Sequence, residues 1–134
     1  MTLLREEALQ FIELAERDRV AFRILAASTE ASLAVVGFHA QQAVEKALKA
    51  VLIDHGVEFR RTHDLQTLAD SLTSDLGLQL PVSEAQLRRL IPFAVEARYQ
   101  FVENLKIERE EIAGLMNVVL DWACATVNSR SLES

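Results

Sequence analysis

The segment from about residue 30 to residue 54 constrains the fold of this chain more than any other part of the sequence. Its apolar residues are spread over almost the whole circumference of a helix, instead of along one stripe. A helix that is apolar on nearly every side is buried among other elements. The segment ends at Asp54-His55-Gly56, with glycine in the position preferred after a helix C-terminus. We therefore predict a long, buried helix that ends near Asp54.

Helical spacing of apolar residues continues through most of the remaining sequence. The chain has only four glycines and two prolines, forms no hairpin turn signal and nowhere sustains strict polar–apolar alternation. The predicted helices are a first over about 4–27, the second over about 30–54, a short third marked by Leu65, Leu68 and Leu72, a fourth that starts at Ser83 and is kinked or divided at Pro92, and a last from near Lys106. The sequence therefore predicts an all-α, up-and-down bundle of about five helices.

Length and composition limit what such a bundle can be. The 134 residues fit one domain, 1–134, in which we expect a flexible polar tail over about 128–134. No stretch is long and apolar enough for a membrane span, so we expect a cytoplasmic protein. The single Cys124 has no zinc-type spacing around it, and no cofactor motif is present, which predicts neither metal nor cofactor. The net charge of −6 argues against broad coating of nucleic acid phosphates.

Polar side chains recur within the buried second helix. Gln42, Glu45, Lys46 and Lys49 are spaced to share one face, with His39 one turn before them, so a carboxylate and two ammonium groups are expected to converge. One interpretation is an ordinary surface pair between Glu45 and Lys49 with solvated glutamines. The other is a polar stripe that binds an anionic ligand or positions the substrate of a partner protein.

Other candidate residues lie outside this helix. His63 is expected at a helix N-terminus, where backbone N–H groups favour anions, although capping by Thr62 or Asp64 explains the same sequence. His39, in an apolar stretch, is expected to be a hydrogen-bonded structural residue. Arg98 and Tyr99 follow the fourth helix and are expected near a turn, where a salt bridge of Arg98 is the simpler interpretation. No nucleophile with a neighbouring base, glycine-rich phosphate loop or H-E-x-x-H spacing occurs.

Three short strings, taken in order, resemble the HEPN domain family. They read FHAQQAVEKALKA over 38–50, RTHDL over 61–65 and ARY over 97–99, and the resemblance extends over about residues 5–125. It implies an up-and-down helical bundle that is often a homodimer. It also implies a companion protein, because in many bacteria and archaea a minimal nucleotidyltransferase is encoded beside the HEPN protein and the two chains form a toxin–antitoxin pair.

The resemblance also bears on activity. Many HEPN domains are metal-independent ribonucleases with an arginine and a histidine separated by four to six residues. Here no arginine stands at that distance before a histidine, and no histidine follows Arg98, so the usual motif is missing. The chain also resembles the helical half of kanamycin-type nucleotidyltransferases. By this resemblance, Glu45 with Lys46 or Lys49 would face the nucleotide, and Glu45 could accept the proton of the attacking hydroxyl.

The resemblance leaves three expected functions. The first is a nucleotide-related accessory subunit in which His39, Gln42, Glu45, Lys46, Lys49, His63, Arg98 and Tyr99 bind the ligand. The second is a ribonuclease toxin with a rearranged site that uses His63 or His39 with Arg98. The third is an antitoxin-like scaffold whose polar stripe forms the rim of a dimer.

Overall fold

A computed structural model describes residues 2–58, 62–94 and 106–133, and within these ranges the chain is helical, with no strand. The elements are α1 (Thr2–Ala26), α2 (Leu33–Asp54), α3 (Leu65–Asp70) continued by a π-helical turn (Ser71–Asp75), α4 (Glu84–Arg88), a 3-10 turn (Ile91–Ala94) and α5 (Arg109–Glu133). This order confirms the predicted all-α fold.

The central element of the bundle is α2, as its all-round apolar sequence predicts. Fifteen of its 22 residues are buried, so it has little surface left for water. It packs most extensively against α1 and next against α5, while α3 and the 3-10 turn cover further parts of it. None of the described helices is long and apolar enough to cross a bilayer. The buried position of α2 means that each polar side chain on it must find a partner within the protein.

Several helix boundaries differ from the predicted ones. The hydroxyl of Ser28 accepts the backbone N–H of Glu30 at 3.2 Å, which forms a local turn, so α2 begins later, after its N-cap Ser32. The α-helical hydrogen bonding of α3 ends at Asp70, before Leu72.

The later elements agree with the sequence more closely at their starts than at their ends. The capping box of Ser83 and Gln86 is present as predicted, but α4 ends at Arg88 and Pro92 lies in a separate 3-10 turn. The helix α5 continues to Glu133, past the predicted start of the tail, while the flexibility of that tail stays a prediction.

Two glycines meet separate backbone requirements. A Cβ atom on Gly37 would lie 2.1 Å from Cδ1 of Phe93, so only glycine lets this ring pack directly on α2. Gly56 follows α2 with a φ of 71°, in the left-handed region that glycine adopts without strain. The predicted glycine stop of this helix is therefore confirmed.

The guanidinium of Arg109, at the start of α5, holds the link between α1 and α2. Its Nη1 donates to the carbonyl oxygens of Ala26 at 2.8 Å and Ser28 at 2.9 Å, with a longer contact to Leu25 at 3.4 Å. Its Nη2 donates to the carbonyl oxygen of Ala31. The carbonyls that end a helix have no partner within it, and a cation at that position also complements the helix dipole. The side chain of Arg109 thus binds the carbonyls at the C-terminus of α1 and holds the turn that leads to α2.

We expect Arg109→Ala to lower the free energy of unfolding by about 2–3 kcal/mol, because charge-assisted bonds to several carbonyls are lost together. Chemical denaturation of the purified variant measures this loss. Arg88→Ala is the matched control, since Arg88 is exposed and, among the described residues, its guanidinium pairs only with Glu84 at 3.4 Å. It should change stability by less than about 0.5 kcal/mol. Equal losses in the two variants would contradict the proposed role of Arg109.

Candidate functional site

Three polar residues of α2 are buried in one line. Gln41, Glu45 and Lys49 are 0%, 2% and 7% exposed, and their spacing of four residues places them one turn apart. Nζ of Lys49 donates to Oε2 of Glu45 at 3.1 Å, and Nε2 of Gln41 lies 3.4 Å from Oε1. The interpretation of Glu45 and Lys49 as a surface pair with solvated glutamines is therefore wrong. The pair is internal, because α2 is covered on the side where it lies.

His63 connects this buried carboxylate to the surface. It lies just before α3, which Asp64 caps by accepting the backbone N–H of Gln66 at 3.2 Å. Nδ1 of His63 is 2.9 Å from Oε2 of Glu45, and its side chain is 76% exposed, whereas that of Glu45 is 2% exposed. When Nδ1–H of a neutral imidazole donates to a carboxylate, Nε2 carries a lone pair. Glu45 thus orients an imidazole that solvent reaches.

Gln42 extends the network in the other direction. Its Nε2 donates to Oε1 of Gln41 at 2.7 Å, and its side chain is half-buried. A continuous series of hydrogen bonds therefore leads from Gln42 through Gln41 and Glu45 to His63. We call these four residues, together with Lys49, the Glu45 network.

A second charged cluster lies between α1 and α2. Asp18 of α1 forms an ion pair with Lys46, and its Oδ1 lies 3.1 Å from Nδ1 of His39. The three side chains are partly buried, at 13%, 26% and 30% exposed for Asp18, Lys46 and His39. The predicted hydrogen-bonded role of His39 is confirmed. The predicted convergence of two ammonium groups on Glu45 is wrong, because adjacent residues of a helix are about 100° apart and Lys46 faces α1.

The structure thus divides the sequence-predicted site between two clusters. Gln42, Glu45, Lys49 and His63 belong to the Glu45 network, whereas His39 and Lys46 meet Asp18. Arg98 and Tyr99 lie outside the described residues, so their place in the site stays a prediction. Sequence reasoning missed Gln41, which stands in the same string as the candidates, and Asp18, which is one of many charged residues on an amphipathic helix.

The Glu45 network can exchange a proton or a hydrogen bond with a molecule at the surface. The lone pair on Nε2 of His63 can accept a hydrogen from a hydroxyl, while Glu45 stabilises the imidazolium that would result. Glu45 itself is too deeply buried to meet a ligand without a change in structure. Within the described ranges, no three histidine, cysteine or carboxylate side chains lie close enough together to hold a metal ion.

Comparison with known proteins agrees with this all-α fold. The model of the HEPN domain family matches residues 3–127. The chain therefore belongs to the HEPN domain family. No curated protein and no solved structure shows a significant match to the chain. Membership of this family indicates a function related to nucleotides or RNA.

We expect Glu45→Ala to lower the free energy of unfolding by about 3 kcal/mol or more, because Lys49 and Gln41 would lose a buried acceptor. The chain offers a matched control in Glu13→Ala. Glu13 and Arg17 have the same four-residue spacing and a 2.9 Å contact, but their side chains are 64% and 71% exposed. This control should cost no more than about 0.5 kcal/mol in the same denaturation experiment. Similar losses in both variants would show that burial does not distinguish the two pairs.

Proposed function

We propose that this HEPN protein is a nucleotide-binding accessory subunit that acts as a homodimer. Its proposed partner is a minimal nucleotidyltransferase, with which it forms a toxin–antitoxin-like pair. The observation that carries the proposal is the Glu45 network, which interrupts the apolar surface of α2 and reaches solvent at His63. The resemblance of residues 38–50 to the nucleotide-facing helix of kanamycin-type nucleotidyltransferases supplies the class of partner.

The energetics of burial support a functional use of this network. A buried ion pair usually stabilises a protein no more than apolar residues of similar volume would, since desolvation offsets the attraction. Glu45 and Lys49 are both buried in the helix that contributes most to the core. Stability alone would be served as well by leucine and methionine at these positions. An oriented, solvent-accessible His63 is what the network provides and an apolar core would not.

Each candidate residue has a proposed role. His63 contacts a hydroxyl or phosphate of the nucleotide. The buried Glu45, which is paired with Lys49, positions the imidazole of His63. His39, Gln42 and Lys46 lie on the neighbouring, partly exposed surface of α2 and contact the rest of the ligand. Arg98 and Tyr99 complete the site. The carboxylates that hold the metal of nucleotide transfer belong to the partner chain.

Co-purification from the native operon followed by binding of labelled ATP tests this proposal. We expect a nucleotidyltransferase-like protein to be recovered, and the complex to bind ATP about tenfold more weakly after His63→Ala, because one hydrogen bond to the ligand is lost. His55→Ala is the matched control, since within the described residues the side chain of His55 bonds only the carbonyl oxygen of Val51 at the end of α2. The proposal is wrong if no such partner is recovered, or if the recovered complex does not bind ATP.

The geometry of His63 also favours a second candidate function, that of a ribonuclease with a rearranged site. Nε2 of His63 would take the proton of a 2′-hydroxyl as its oxygen attacks the phosphorus. The 5′-oxygen would leave and receive a proton from an acid such as a second protonated histidine, with Arg98 stabilising the charge on the phosphate.

Cleavage of total RNA by the purified protein decides between the two candidates. A ribonuclease of this kind should lose activity by at least about a hundredfold in His63→Ala, and Arg98→Ala should also reduce it, whereas His55→Ala should retain it. Activity that is unchanged in both active-site variants would remove these residues from the mechanism. If Glu45→Ala and Lys49→Ala instead alter assembly but leave ATP affinity unchanged, the antitoxin-like scaffold is the better description.

A further inference from the structure

The outer face of α1 carries a regular seam that no other described element covers. Successive intervals of four and three residues connect its members, so they lie along one side of the helix. In order they are Leu9, Glu13, Glu16, Val20, Arg23 and, directly after the end of α1, Ala27. All are exposed except Glu16, which is half-exposed, and beside them Ile24 is 64% exposed. We call these six residues the α1 seam.

The charges of the α1 seam are ordered along the helix. Its acidic members, Glu13 and Glu16, lie in the first half of the seam, and its basic member, Arg23, lies in the second half. The midpoint of the seam is residue 18. If a second copy of α1 ran antiparallel about this midpoint, Glu13 would face the second copy's Arg23, and Leu9 would face its Ala27.

A parallel arrangement would have the opposite effect, because Glu13 would face Glu13 and Arg23 would face Arg23. Like charges in contact are unfavourable, so the seam is complementary to itself only in the antiparallel orientation. A two-fold symmetric dimer requires this kind of self-complementarity, in which one patch recognises the same patch on the other copy.

Glu13 and Arg23, the two seam residues that would pair, are available for such contacts. Within the described part of the chain, Arg23 makes no ion pair and no side-chain hydrogen bond. Among the same residues, the carboxylate of Glu13 pairs only with Arg17, and that pair is so exposed that its loss would cost little stability.

The seam also lies along a groove between α1 and α5. The groove has a volume of about 530 Å³, with Phe22 and Met116 at its floor and Glu16 and Arg23 on its wall. On its other side Arg19 bridges the two helices, since it bonds Glu16 and Asp121. Burial lowers the pKa of Arg19, but its hydrogen bonds to Asp121 and Glu16 outweigh that effect and raise the pKa above its ordinary value. The groove is thus bridged by Arg19 on one side and bordered by the seam on the other, so it lies beside the surface that a second copy would contact.

We propose that a second copy of this chain packs along the α1 seam in antiparallel orientation, with Glu13 of each copy paired to Arg23 of the other. The proposal rests on the homodimer of the proposed function, and it assigns that dimer a contact surface on α1. The Glu45 network lies on a different helix and needs no contribution from this surface.

Charge reversal tests the pairing. Analytical ultracentrifugation should find a dimer of the unmodified chain, and Glu13→Arg or Arg23→Glu should each weaken it about tenfold, because each substitution creates two symmetry-related like-charge contacts. The combined variant Glu13→Arg/Arg23→Glu restores opposite charges across the interface, so its dimer should return to within about threefold of the original. Arg88→Glu is the matched control, since it makes the same charge change at an exposed arginine of α4, away from α1.

Each result decides the question. Weakening by both single variants with recovery in the combined variant supports the antiparallel seam. A dimer that neither single variant weakens, or that the combined variant fails to recover while circular dichroism shows native helix content, overturns it and leaves the dimer of the proposed function to another surface. A monomeric chain overturns the seam and the homodimer together, whereas loss of ATP binding without loss of the dimer affects only the proposed function.

Discussion

The burial of one carboxylate, that of Glu45, is the constraint on which much of this structure depends. A charged group away from water has to be surrounded by donors, and here Gln41, Lys49 and His63 supply them. Two of these donors are on the same helix, one turn before and one turn after Glu45, so these two contacts lie within α2. The third donor, His63, lies just before α3, so its bond to the same carboxylate holds the start of α3 against α2.

Two charged clusters hold α2 in place. Each contains one carboxylate, one histidine and one lysine, yet they differ in depth and in the helix that they reach. Asp18 secures α2 to α1 through partly exposed contacts, whereas Glu45 secures it to the residues before α3 from within the core. Of the two clusters, only that of Glu45 contains a histidine that is bonded to a buried carboxylate and is itself mostly exposed to solvent. That difference is why the Glu45 network, and not the Asp18 cluster, is at the centre of the proposed nucleotide site.

Periodicity predicted the helices of this chain well and their partners poorly. The spacing of apolar residues was enough to locate α1, α2 and α5, because a helix that buries a stripe must repeat it every three or four residues. The same spacing showed that Glu45 and Lys49 share a face. It could not show that this face is covered, so a surface pair remained an open interpretation. Asp18 is 21 residues from His39 and 28 from Lys46, and nothing local marks it as their partner. The family resemblance identified the string that contains the site, but the depth of each residue required the fold.

The reach of Arg109 has a consequence for the order in which the protein matures. Its guanidinium holds carbonyls that precede it by about 80 residues, so the turn between the first two helices depends on the last one. Chains emerge from the ribosome N-terminus first. The hairpin of α1 and α2 can therefore form early from local contacts, but it has no clamp until α5 has been synthesised. A chain cut short before residue 109 would keep the Glu45 string and lose the side chain that locks the turn ahead of it.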